Sequence, residues 1–173
     1  DGTKLYVAGG NTGPAITVID VSGGNAAHES FTVRATNGSA MTGFFAVAVS
    51  PDGRYVYTAH TSTPCLYRFK TDRSSGQEKI CISATINNAN FGGYLLIDNN
   101  VLYTLTYRTS STGKDQLVAF DLSGETMVLK SESWTASSYS GTSNLYKSGN
   151  FVYATTNGDI LKIDVSNNST TGN

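Results

Sequence analysis

The sequence predicts an all-β chain built from repeated four-stranded antiparallel sheets. Three observations predict it: a composition that favours strands, a tyrosine-bearing motif that recurs four times, and a second motif that follows each copy. Charged residues make up 14 % of the 173 residues, against about 25 % in an average globular domain. Gly, Ser, Thr and Asn fill the difference, and Thr, Tyr and Val far outnumber Glu and Lys, which suits a pleated surface better than a helical one. The length allows one domain with a real core.

The first motif reads "DGTKLYVAGG" from Asp1, "DGRYVYTAHT" from Asp52, "DNNVLYTLTY" from Asp98 and "SGNFVYATTN" from Ser148. Its shared tyrosines are Tyr6, Tyr57, Tyr103 and Tyr153, spaced by 51, 46 and 50 residues. The second motif reads "ITVIDVSGG" (16–24), "LYRFKTDRSSG" (66–76), "LVAFDLSGE" (117–125) and "ILKIDVSNN" (160–168). Two motifs in register over four copies make an internal repeat, with units at roughly 1–36, 43–86, 93–133 and 144–165.

Each unit yields its strands in the same order. An apolar strand comes first, as in "FFAVAVSPDG" (44–53) and "YLLIDNN" (94–100), and ends in a tight turn. Asp-Gly and Asn-Asn suit that turn because they accept positive φ. The tyrosine strand follows, alternating so that one face is buried. After a loop of variable length comes the third strand, "VIDV" or "AFDL". A Gly/Ser turn then leads to a weaker fourth: "ESFTVRAT" (29–36), "KICISATI" (79–86) and "TMVLKSES" (126–133). No segment carries a competing helical period. Four antiparallel strands per 40–50 residues describe a β-propeller blade.

"VAVSPDGRYVYTAH" and "DGTKLYVAGGNTGPAITVIDV" resemble the YVTN-type β-propeller repeat, in which "SPDG" precedes a "YVYV"-like strand and an "I-D" strand follows. "IDNN" and "KSGN" replace "SPDG" in the third and fourth copies. The resemblance implies a propeller. On function it implies several things at once, since the family spans bacterial and archaeal cell-surface proteins, sugar-lactone hydrolases, a fungal muconate cyclase and propeller subunits of redox enzymes.

With strands labelled A to D from the propeller axis outward, the order is B-C-D, A-B-C-D, A-B-C-D, A-B-C. The first blade lacks an A and the last lacks a D, so neither end completes the other. The expectation is a piece of a seven- or eight-bladed propeller, with closure by a second copy as the rival. The chain opens on Asp1 without Met, so its natural start is expected to have been removed or to lie outside this segment.

The totals exclude some classes. Net charge is −1 with the signs dispersed, so no nucleic-acid footprint is expected. No apolar run approaches the roughly 20 residues of a membrane span. No cofactor or metal is expected, since the two cysteines lack the further ligands zinc requires. Folding the hairpin about Arg73 sets Cys65 opposite Cys81, which makes a cross-strand disulfide geometrically reasonable, with two buried thiols as the alternative. Asn37, Asn167 and Asn168 head N-x-Ser/Thr sequons in loops, usable only in an exported, glycosylating setting.

For a site, the B–C and D–A loops share one face of a propeller. His60 falls on one such loop, Arg108 and Lys114 on the matching loop of the third unit, and Asn87, Asn88 and Asn90 on a D–A loop. Trp134 and Tyr139 fall in "SESWTASSYSGTSN" (131–144), read as a D–A connection. Trp134 could stack on a sugar or partner, or cap the gap between blades; a lone loop histidine is more often a solvated surface residue. Asp20, Asp121 and Asp164 recur with strand C and are expected to bond turn amides; Asp52 and Asp98 are turn residues. No nucleophile elbow, phosphate loop, paired histidine or haem motif is present. The leading expectation is an exported, non-catalytic propeller domain, at the cell surface, outside the cell or in the periplasm. It would offer a rigid surface to protein or glycan partners or to copies of itself. The second is part of a lactonase-like or cyclase-like propeller with its catalytic groups in other blades.

Overall fold

The computed structural model describes residues 2–23, 27–35, 37–61, 63–74, 76–82, 89–108, 115–136, 144–155 and 160–166. Among them are fourteen strands and no helix. The first sheet is β1 (Lys4–Ala8), β2 (Ile16–Asp20) and β3 (His28–Phe31). The second is β4 (Phe44–Val49), β5 (Tyr55–His60), β6 (Cys65–Lys70) and β7 (Glu78–Cys81). The third is β8 (Ala89–Asp98), β9 (Val101–Arg108), β10 (Asp115–Asp121) and β11 (Val128–Ala136). The fourth is β12 (Asn144–Ser148), β13 (Phe151–Thr155) and β14 (Ile160–Asp164). Every sheet is an antiparallel meander in chain order. This is a β-propeller segment of four blades, with β4, β8 and β12 side by side as the innermost strands.

The A–B turns show why the motif tolerates its variants. Gly2, Gly53, Asn99 and Gly149 each stand four residues before a repeat tyrosine, and each has positive φ: 75°, 71°, 52° and 55°. Glycine occupies that region without steric cost, and asparagine is the side chain that enters it most readily. In the second blade the turn is also tied by side chains. The Ser50 hydroxyl donates to Asp52 at 2.5 Å and accepts the Tyr55 N–H at 2.9 Å, while Asp52 also accepts the Arg54 N–H at 3.0 Å.

The core lies between blades, not within them. Ile16, Val18 and Phe31 of the first sheet meet Phe44, Val56, Tyr67 and Phe69 of the second. Tyr57, Ala59 and Leu66 meet Phe91, Leu102, Val118 and Phe120. Tyr103, Leu105 and Leu117 meet Leu145, Val152 and Ala154. In the middle blades, alternation therefore sends successive residues of one strand to opposite neighbours. Val56 turns to the first blade and Tyr57 to the third, both buried. A bulge interrupts β4 between Phe44 and Ala46, and another interrupts β8 between Phe91 and Leu95. Buried Thr58 and Thr104 donate to carbonyls beside them, Ala46 at 2.7 Å and Tyr94 at 3.0 Å, which satisfies polar groups that a bulge removes from the ladder.

Polar ties join each blade to the next. Arg34 and Gln77 exchange two 2.9 Å backbone–side chain bonds, and Arg73 pairs with Glu29 at 3.0 Å. The Met127 N–H donates to Glu78 at 2.9 Å. Lys147 pairs with Asp98 at 2.7 Å.

Four strands differ in extent from the sequence reading. β8 starts at Ala89 rather than near residue 94, and β3 and β7 are only four residues long. β11 runs on to Ala136, so Trp134 stands in a strand opposite Leu117 instead of in a D–A loop. Strand pairing overrode the polar composition there. An outer strand needs a single ladder, and Ser and Thr satisfy it as well as apolar residues do.

Candidate functional site

The sequence placed its candidates at the B–C and D–A end of the blades, and the backbone brings some of them there. His60 closes β5 and Arg108 closes β9, at the same end of adjacent blades. Asn90 lies beside this end, in β8 opposite Tyr107. The Arg108 and Trp134 side chains, Lys114, Asn87, Asn88 and Tyr139 lie outside the described residues, as do Asn167 and Asn168. Asn37 is exposed in a turn, its side-chain oxygen accepting the Ser39 N–H at 3.1 Å.

His60 is not the solvated loop residue its sequence context suggests. It is 7 % exposed and pairs with Phe44 of β4, whose ring meets the imidazole edge-on at 5.0 Å. The Thr63 hydroxyl sits 3.0 Å from Nδ1. Burial lowers its pKa, opposed by a backbone hydrogen bond with Thr42. The strand runs one turn of the pleat further than the sequence implied, and that last residue tucks between β4 and the B–C connection. An imidazole buried against an aromatic ring is a packing element first.

The recurring aspartates do what their spacing predicts. Asp20 accepts the Ser22 N–H at 2.8 Å, Asp121 that of Ser123 at 2.8 Å and Asp164 that of Ser166 at 2.9 Å. The second blade has Lys70 at the equivalent position, opposite Tyr55, and Asp72 takes over the turn by accepting the Ser74 N–H at 2.8 Å. For Asp20, Asp121 and Asp164, the serine hydroxyl and then its amide hold the carboxyl below its ordinary pKa. For Asp72 the amide contributes most. A carboxylate so engaged is a turn clamp, not a proton carrier.

Cys65 and Cys81 are directly opposed in β6 and β7 and are bonded, with Cα atoms 4.0 Å apart. The bridge ties the short outer strand to its neighbour. Among the described residues, no group of three or more His, Cys, Asp or Glu side chains could hold a metal ion.

Two concavities lie at the opposite end of the blades, where the sequence reading did not look. One, of about 490 Å³, runs between the first two blades past Lys4, Tyr6, Asp52 and Thr71. The other, of about 420 Å³, lies between the second and third blades and is lined by Asp52, Arg54, Tyr55, Tyr57, Asn99 and Glu125 among others. Close by, the buried Arg68 guanidinium stacks over the Tyr55 ring at 4.3 Å, pairs with Glu78 and donates to the Glu125 carbonyl. Arg54 approaches the same ring at 5.7 Å. Phenols, a guanidinium and carboxylates thus share one polar groove. The repeat hides this from sequence reading, because the groove residues belong to turns of two different blades.

No family model matches the chain, and no curated protein matches it. Solved structures do. One, from Bacteroides uniformis ATCC 8492, is described as a "putative 6-phosphogluconolactonase". It aligns with a TM-score of 0.55 at 15 % identity over 91 % of this chain and 55 % of its own. A second, hydrazine synthase of Kuenenia stuttgartiensis, aligns with a TM-score of 0.48 at 13 % identity over 90 % of this chain and 53 % of its own. The chain spans about half the length of these structures. The first likeness is one of fold.

Proposed function

We propose that this chain is an exported, non-catalytic propeller domain of the YVTN type that presents a rigid surface for binding or assembly. The observation that carries the reading is the employment of its ionisable side chains. The aspartates at the ends of strand C clamp turns, His60 packs against Phe44, and Arg68 is stacked and paired between blades. The innermost strands add aromatic surface: Phe45, at the β4 bulge, is exposed and stands 3.6 Å from where a Cβ on Gly93 of β8 would be, and Tyr94 is exposed beside it. The Cys65–Cys81 bond supports an oxidising compartment. The exposed Asn37 turn is then a candidate glycan acceptor, and the Arg54/Tyr55 groove a candidate surface for a hydroxylated or charged partner group.

The second reading, part of a lactonase-like propeller, draws on the fold likeness to the Bacteroides protein. A pH-stat assay with a six-carbon aldonolactone separates the two. The binding reading expects ring opening at the uncatalysed rate. Ring opening above that rate would replace it with the enzyme reading.

A further inference from the structure

The repeat allows each junction between blades to be compared with the others. The residue opposite the repeat tyrosine turns to the following blade, and it is Val18 at the first junction and Ala119 at the third. At the second it is Arg68, 3 % exposed. A valine or an alanine seals the same place, so packing does not call for an arginine, and burying its charge carries a desolvation cost. Glu78 and the Glu125 carbonyl offset part of that cost, yet Nη1 has no hydrogen-bond partner among the described residues. Two neighbouring positions depart from the repeat as well. Arg54 and Tyr55 stand where the other junctions have Thr3 and Lys4 or Asn100 and Val101. Tyr55, stacked on Arg68, and Tyr57, opposite it in the ladder, both line the groove of about 420 Å³ between the second and third blades. A four-stranded sheet walls that groove on each side.

We infer that this groove is a binding subsite for a neutral sugar unit. Its volume falls within the roughly 300–1,000 Å³ of small-molecule sites. Its charges are mixed, with Arg54 set among Asp52 and Glu125. An ion of either sign would meet a like charge as well as a partner, whereas a sugar hydroxyl donates and accepts at once. The exposed Asn99 and Asn100 amides offer both kinds of group in return. Among the described residues, the aliphatic lining is confined to Pro51 and Leu122, too little to hold an apolar ligand. The two tyrosines supply aromatic surface with a polar tip, which suits a ring that is apolar on its faces and hydroxylated at its edge. Arg68 is a positioning residue here, holding the Tyr55 ring from the junction side. The inference rests on the reading of this chain as a binding domain and gives one of its surfaces a ligand class.

Ligand-observed saturation-transfer NMR of the 173-residue chain with its disulfide intact tests this. Maltose, cellobiose, lactose and chitobiose serve as neutral probes and glucuronate as the anionic one. The expected result is saturation transfer to at least one neutral probe, with glucuronate bound more weakly. Arg54→Ala, at an exposed position, and Tyr55→Leu are each expected to weaken that binding about tenfold or more, as removal of a central contact does. Asn99→Gly keeps the left-handed turn while removing the amide, and it replaces either variant that loses the wild-type circular dichroism. No transfer to any neutral probe, a preference for glucuronate, or binding that the variants retain overturns the inference. The pH-stat assay reads the broader proposal separately: a chain that takes no sugar and opens no lactone loses this inference and keeps that reading.

Discussion

Leu66 and Ile160 hold equivalent places in the third strand of their repeats, yet the first is sealed and the second open. The middle blades, β4–β7 and β8–β11, are covered on both faces; the outer two are covered on one. Both strands alternate, both pair with a tyrosine strand and both close on a serine-clamped turn, although β6 also pairs with β7 whereas β14 ends its sheet. The difference lies in whether a second sheet stands opposite. Burial in this fold belongs to the junction between blades rather than to the strand.

The sharpest test of that comparison is a pair of truncations. Leu66→Ala is expected to destabilise the chain by about 2–5 kcal/mol, as large-to-small changes in a packed core do. Ile160→Ala, at an exposed position, is expected to stay within about 0.5 kcal/mol. Urea unfolding midpoints read both, and equal losses would break the distinction between inner and outer blades.

A somewhat smaller effect is expected from the disulfide. It closes a separation of 16 residues within the second blade, and a loop of that size is worth about 3 kcal/mol when cross-linked. Cys65→Ser with Cys81→Ser is expected to lower stability by about 2–4 kcal/mol and to speed amide exchange first in β7. Exchange that rises equally in β11, which carries no bridge, would show the two middle blades to be one cooperative unit instead.

The smallest effect is the one that should ignore blade position. Asp121 and Asp164 lie in a middle and an outer blade, and serine hydrogen bonds lower the pKa of each. A carboxyl that is more acidic folded than unfolded adds stability above its unfolded value, near pH 4. That stability is lost as pH falls through the lower folded value. Asp121→Asn and Asp164→Asn are each expected to flatten the acid limb of a stability–pH curve slightly and equally. A clear inequality would mean that the turn clamp also feels the neighbouring blade.

Much of the molecule was legible before folding. The strand count, the four-unit grouping, the turn role of the aspartates and the opposition of Cys65 and Cys81 all follow from alternation, turn chemistry and hairpin geometry. Those are local or pairwise within one blade. What misled were residues whose surroundings come from another element. His60 reads as a loop residue until Phe44 covers it. Trp134 reads as a loop residue until an extended β10 offers it a partner strand. The Arg54/Tyr55 groove cannot be read at all, because Glu125 and Asn99 reach it from the next blade.

By itself, the sequence determined the blade: its strand order, its left-handed turn residue four places before each tyrosine, and which side chains share a face. Only the tertiary structure decided which of those faces are buried. Alternation can sort side chains to two sides of a sheet, but removing them from water requires a second surface, and that surface is always another blade.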